Sequence, residues 1–460
     1  MTTFNPFSKS LDDLEVEDLI ALKTINEGWY IEYKQQLTTG EAIAKSLSAL
    51  ANTYGGWLFY GIKEESKHNS VAGEFAGIKK EKIDGALQAI RNAAAQHLNP
   101  TCHFDIKVLY GPSSLLDLDS DSAIICVVVP ESREAPHIHR SGRIYRRVAD
   151  SSDPVPEADR HMIEKLFSRS EKKSEYYKKW HDKDPEFSKG ESDLAFLRIM
   201  IEPNIWSAPR PQFTPTTDLI RRTLNPVTKR RCHIPFDTVY TRAGGFVARQ
   251  CKNNDPGKLG LTWDVGNDLS GDVLIPLHTI DGKIDTIRNY LYGYQHLDSY
   301  LDALRSKNYE TAHVIDFNYL IHILMSIIET QQTLHTLANW PTGFSVKFKL
   351  LNVWRTTPFV DLEYIIDHFK INGIPLCMTN YITTPRGTAP DSFIEIGGDA
   401  SSTIENLAAQ TVFALSWIAH AFGIPAYEMT MDRELINKDG KSVYHYFADA
   451  GNRAIARTFE

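Results

Sequence analysis

Cysteine is scarce: Cys102, Cys126, Cys232, Cys251 and Cys377 are scattered singly through 460 residues. No Cys-x-x-Cys pair occurs, which removes both a zinc ribbon and a disulfide framework from consideration, and a reducing, cytoplasmic setting is expected. No uninterrupted apolar run reaches the roughly 20 residues that a membrane-spanning helix needs, so no membrane association is expected. The first residues are polar and hold no signal-peptide core. Gly440-Lys441-Ser442 ends like a phosphate loop, but Leu435 stands where the earlier glycine is required, and Asp439-Gly440 marks a turn; nucleotide binding there is excluded. No internal repeat stands out, and the C-terminal half shows no helix-turn-helix pattern. Excess positive charge is also missing. A formal net charge of −8 argues against indiscriminate coating of nucleic acid, while leaving room for a local basic groove.

What is present is an ordinary globular composition, 42% hydrophobic and 23% charged, in a chain too long for one core. Two domains are expected. The chemistry concentrates between Glu27 and Glu64. Residues 29–33, Trp-Tyr-Ile-Glu-Tyr, favour a strand. Alternation then places Tyr30, Glu32 and Lys34 on one face and Trp29, Ile31 and Tyr33 on the other. Glu27 has the wrong parity to join Glu32 on a regular strand, and Gly28 is the residue able to supply the break. Ile43, Leu47, Leu50, Ala51 and Tyr54 recur at helical spacing, and Gly55-Gly56 stops the helix. Trp57 to Ile62 is an almost unbroken apolar run, as expected of a strand covered on both faces, and Lys63-Glu64 follow at its end.

These residues form an ordered set of motifs. Glu27-x4-Glu32-Tyr33-Lys34 is followed by Leu-x-Ala-Leu-Ala-Asn-Thr-x-Gly-Gly-x-Leu-x-x-Gly-Ile-x-Glu, then by Val71-Ala72-Gly73, by Ala123 to Pro130, and by Gly142-Arg143-Ile144-Tyr145-Arg146-Arg147-Val148. The set resembles the Alba-type (divergent AAA-4) domain of the Schlafen family, in its short bacterial form, over roughly residues 12–165. The resemblance implies an α/β fold. In family members that cleave RNA, two glutamates and an aspartate form a metal-dependent nuclease site, so it implies those roles for Glu27, Glu32 and Glu64. The third is Glu in place of Asp, one methylene longer, which moves the carboxylate by on the order of 1 Å. Mg²⁺ or Mn²⁺ suits such a set, because hard divalent ions take carboxylate and phosphate oxygens. Lys34 is positioned to neutralise charge developing on a phosphate. Without the resemblance, these carboxylates read equally as surface groups or ion-pair partners.

Elsewhere the first half reads as a short helix at Leu14–Leu22, an amphipathic helix over 79–97, a strand at Phe104–Val108, a loop from Gly111 to Ser122, and a buried strand at Ala123–Val129. His137 and His139 share a strand face, a pair more often packed than metal-bound. Arg140, Arg143, Arg146 and Arg147 make the densest positive cluster of this half and are expected on a phosphate-contacting rim, against the alternative of a charged edge strand. A helix is expected over 154–169, then a charged linker over 170–192 that can extend it. The domains are therefore set at 12–169 and 193–460, the second an α+β domain of unassigned fold. Within it, Arg221-Arg222 and Lys229-Arg230-Arg231 flank a turn, 315–337 reads as a largely apolar helix, 344–350 as a half-buried strand with Ser345, Lys347 and Lys349 outward, and 403–422 as a helix apolar nearly all round, fit for a core or a subunit interface.

The expectation is a metal-dependent endoribonuclease acting on structured RNA such as tRNA, with Glu27, Glu32 and Glu64 on the ion and Lys34 and the four arginines on phosphate. A homodimer would complete the cleft that larger family members build from two lobes. Two alternatives stand beside it: a regulator that binds RNA, DNA or single-stranded nucleic acid without cutting it, and an antiviral defence-type switch whose second domain senses and whose first acts.

Overall fold

The computed structural model describes residues 4–7, 9, 11–66, 69–132, 134–148, 153–203, 215–224, 236–250, 260–338, 340, 342–388, 392–397, 403–432 and 441–458. These divide into two compact units, one ending at Trp180 and one beginning at His181. The boundary falls within the charged stretch 170–192, whose first residues continue a helix, Arg160–Asp182. Cys232, Cys251, Lys229-Arg230-Arg231 and Asp439-Gly440 lie outside the described residues.

The first unit is built on a sheet whose centre is the apolar run. Strand β1 (Ile31–Lys34) pairs in parallel with β2 (Gly55–Tyr60), joined by helix α1 (Gly40–Asn52). A hairpin follows, β3 (Lys63–Ser66) with β4 (Asn69–Glu74). Then come the short β5 (Ile78–Lys79), helix α2 (Ile83–His97), the short β6 (Leu98–Asn99), β7 (Asp105–Tyr110) and β8 (Ser122–Pro130). Strand β8 runs antiparallel to β2, β5 and β7, giving a five-stranded mixed sheet. All six residues of β2 are buried. Leu58 and Tyr60 face the layer of α1 and α2, against Ile43, Leu47, Leu50 and Ile90. Trp57 and Phe59 face the other way, onto Leu19 and Leu22 of a 3-10 helix, Val16–Thr24. Period-two alternation with both faces covered is why this strand is apolar throughout. The Thr39 hydroxyl caps α1 by accepting from Ala42 N, 3.3 Å. Gly55 (φ 72°) makes the turn out of it.

In the second unit, the largest sheet is antiparallel. Its central pair is Phe196–Pro203 with Phe344–Leu351. Ser345, Lys347 and Lys349 were expected to point to solvent, but Lys347 and Lys349 are buried. Lys347 Nζ donates to Pro385 O (2.8 Å) and Ser392 Oγ (2.7 Å), and Lys349 Nζ to Asp184 Oδ2 (2.8 Å). Segments distant in sequence cover the polar face. The expected helix over 315–337 also divides: Thr311–Asp316 is a strand, and the helix runs over Leu320–Leu337. The apolar stretch 403–422 is a helix, Ile404–Ala421, with Ala414, Leu415 and Ile418 in the core and Phe413 47% exposed on the outer side. Among the described residues no helix is long and apolar enough to cross a membrane.

Candidate active site

The ends of β1 and β2 bring the predicted carboxylates into one region, in two different environments. Gly28 makes the expected break: its N–H donates to Ile31 O at 3.1 Å. The turn sends the Glu27 side chain back along β1, where its Oε1 accepts the Tyr33 N–H. Glu27 N donates to Ser70 O of β4 (3.0 Å), fixing this segment to the β3–β4 hairpin. That hairpin carries Glu64 at an irregular register, a device that re-aims a side chain. The result sets Glu64 close enough to act on the Glu27 carboxyl. Burial, and then the contact with Glu64, push the Glu27 carboxyl up to about 8, against the opposing Tyr33 N–H and Lys34. Its Oε2 is buried with no hydrogen-bond partner among the described residues.

Glu32 is fully buried and its charge is already met. Its Oε1 accepts from Ser46 Oγ (2.7 Å) and lies 3.1 Å from Lys34 Nζ. Its Oε2 accepts from Arg147 Nη1 at 3.0 Å. Lys34, on the same strand face, stands between the two acidic centres. Burial pulls its ammonium down, but Glu32 and Glu27 outweigh that and hold it above the usual value. Asp153 acts on Lys34 as well.

The arginine cluster does not form one rim. Arg147, expected on phosphate, is completely buried. Its N–H donates to Thr53 Oγ1 (2.9 Å), its Nε to Gly28 O (2.8 Å) and its Nη2 to Ile31 O (3.0 Å). It serves as the internal counter-ion of Glu32, and phosphate has no access to it. Arg146 is half-buried against Glu157. Arg140 is exposed beside Glu41 (3.6 Å) and His97 (3.2 Å). Arg143 is exposed, and its side chain makes no hydrogen bond or ion pair among the described residues. His137 and His139 are packing residues: His137 N donates to Asn52 Oδ1 (2.8 Å), and His139 Nδ1 lies 2.8 Å from Ser141 Oγ.

Ser46, Asn52, Thr53 and Asp153 escaped the sequence reading. Ser46 left a signal, a hydroxyl on the face of α1 that otherwise carries Ile43, Leu47 and Leu50. Asn52 binds the 137–147 segment to α1 through His137 O and Tyr145 O, both at 3.0 Å.

Residues 27–156 match a family model described as Schlafen, AlbA_2. The first unit holds a Schlafen AlbA_2-type domain. The match leaves the second unit unassigned. No curated protein matches the chain. Among solved structures, the chain is similar to the DIP2311 protein from Corynebacterium diphtheriae, at 16% identity over 43% of this chain and 34% of that one, with a TM-score of 0.19. This chain thus spans about a third of that protein, and the likeness carries no argument about fold or activity. The AlbA_2 match places the Glu27–Glu64 region in a domain class associated with nucleic acid.

The donor set also answers the question of a metal. Glu27 and Glu64 offer oxygens of the kind a hard divalent cation takes, and such a cation would replace the proton that burial keeps on Glu27. This pair of carboxylates is the donor type that Mg²⁺ or Mn²⁺ would require. Glu32 does not join it while Ser46, Lys34 and Arg147 occupy both its oxygens. Among the described residues no three His, Cys, Asp or Glu side chains converge on one point.

Proposed function

We propose that the Schlafen AlbA_2-type unit is a metal-dependent endoribonuclease acting on structured RNA such as tRNA. The observation that carries this reading is the buried Glu27 carboxyl, turned back onto the Tyr33 N–H with Glu64 and Lys34 close enough to act on it. A buried acid perturbed by specific charged neighbours is a candidate functional site. Glu27 and Glu64 would hold Mg²⁺ or Mn²⁺, which when bound polarises the phosphoryl oxygen and stabilises charge on it. Lys34 supplies a fixed positive charge toward the same phosphate. Glu32 does not touch the substrate in this account. With Ser46 and Arg147 it orients Lys34 and keeps it charged. To hold a cation Glu27 would give up the proton that burial keeps on it, so activity is expected to rise with pH toward 8. Arg143 and Arg140 add surface contacts to the RNA backbone.

One observation favours a second reading. Both oxygens of Glu32 are occupied, so the site has two available carboxylates and a longer Glu64 in place of Asp. That suits a nucleic-acid-binding regulator without nuclease activity. One assay separates the two: cleavage of end-labelled tRNA with Mg²⁺ or Mn²⁺, beside EDTA and Glu27→Gln. Discrete fragments that vanish with EDTA and with the variant support the nuclease. Intact RNA that is still bound supports the regulator.

A further inference from the structure

Four aromatic rings form a chain where the backbone enters β1, at the strand end opposite Lys34. Phe4 stacks on Tyr30, with centroids 5.0 Å apart and planes 25° apart. Tyr30 leans on Tyr54 at 6.0 Å and 39°, and Tyr54 meets Trp29 edge-on at 5.5 Å and 63°. Tyr54 is 42% exposed, and Trp29 and Tyr30 are half-buried. The Trp29 indole N–H and the Tyr30 and Tyr54 hydroxyls make no hydrogen bond among the described residues. Aromatic residues kept only for packing usually bury such groups against a partner. Here the polar tips are left open.

The rings stand on rigid supports. Arg147 holds Gly28 O, just before Trp29, and Thr53 Oγ1, just before Tyr54. Arg169 donates to Asn52 O (3.2 Å) and Thr53 O (3.3 Å), which places a guanidinium beside Tyr54. Gly56 closes the arrangement, since a Cβ there would lie 2.3 Å from Tyr30 O. From Tyr30 to Lys34 the strand advances roughly 13 Å at about 3.3 Å per residue. That is a span of a few nucleotides of extended single strand.

We propose that Trp29 and Tyr54, backed by Tyr30 and Phe4, form a stacking platform for unpaired nucleobases, so that the site takes a single-stranded loop or end of RNA and leaves a duplex uncut. Every base offers a π-face, whereas a base inside a duplex is already stacked and unavailable. The proposal rests on the reading of Glu27, Glu64 and Lys34 as a nucleic-acid site.

The test is fluorescence anisotropy with the full chain in EDTA, which stops cutting, using a labelled single-stranded RNA dodecamer and the blunt duplex of the same sequence. The single strand is expected to bind at least roughly tenfold more tightly, with Trp29→Ala and Tyr54→Ala each weakening it about 5- to 100-fold. Tyr54→Phe keeps the ring and is expected to bind like the wild type, which separates stacking from a fold defect. Equal binding of strand and duplex overturns the proposal, as does unchanged affinity in both alanine variants, and either leaves the nucleic-acid site standing. No binding of either RNA by the wild type overturns both.

Discussion

Replacing Arg147 by Met gives the sharpest quantitative expectation. Both partners of the Arg147–Glu32 pair are fully buried. The substitution leaves Glu32 with Ser46 and Lys34 alone, and strips Gly28 O and Ile31 O of their side-chain donors. Breaking a buried pair from one side costs about 3–5 kcal/mol, because an uncompensated charge stays inside. For a unit of this size each kcal/mol moves the midpoint by about 2–4 °C, so the first unit should melt about 6–20 °C earlier. The assay is thermal unfolding of the full chain, followed by circular dichroism and intrinsic fluorescence. The double variant Arg147→Met with Glu32→Gln removes the stranded charge and should recover a good part of the loss. A midpoint within about 2 °C of wild type for the single variant would refute the buried-pair account and return Arg147 to the surface rim.

Other expectations follow from the same geometry. The Glu27 carboxyl, near 4.5 when unfolded and about 8 when folded, binds its proton more tightly in the folded state. Its contribution is therefore complete below pH 4.5 and is lost as pH rises to 8. Glu27→Gln should flatten that decline in urea unfolding between pH 5 and 8.5, and parallel curves would contradict the shift. Arg143→Ala should weaken RNA binding evenly across sequences and reduce the salt slope by about 1, since its side chain makes no hydrogen bond or ion pair among the described residues; an unchanged slope removes Arg143 from the interface. If two copies complete the cleft through the outer side of helix Ile404–Ala421, light scattering will give twice 52.1 kDa, and Phe413→Glu will halve it; a single-chain mass for the wild type excludes the pairing.

Local periodicity made some of this legible. Trp57 to Tyr60 announced a strand buried on both faces because every residue is apolar. Glu32 and Lys34 announced a shared face by their spacing, and they lie 3.1 Å apart. Gly28 announced the break that lets Glu27 fold back. What could not be read depends on partners far away in the chain. Nothing near Arg147 marks it as internal; Thr53 and Glu32, roughly a hundred residues earlier, draw it in. Lys347 and Lys349 alternate with apolar neighbours like an exposed face, and acceptors at Pro385, Ser392, Asp184 and His181 offset the cost of their burial. The encounter of Glu27 with Glu64 required the hairpin irregularity, which has no one-residue signature.

The central claim is that the Glu27–Glu64 pair accepts a divalent cation. Calorimetric titration of Mn²⁺ into the full chain at pH 7, repeated in two buffers of different ionisation enthalpy, tests it directly. One site that releases close to one proton, and is lost in Glu27→Gln and in Glu64→Gln, is the predicted result. Mn²⁺ binding that releases no proton, or that survives both substitutions, would contradict it.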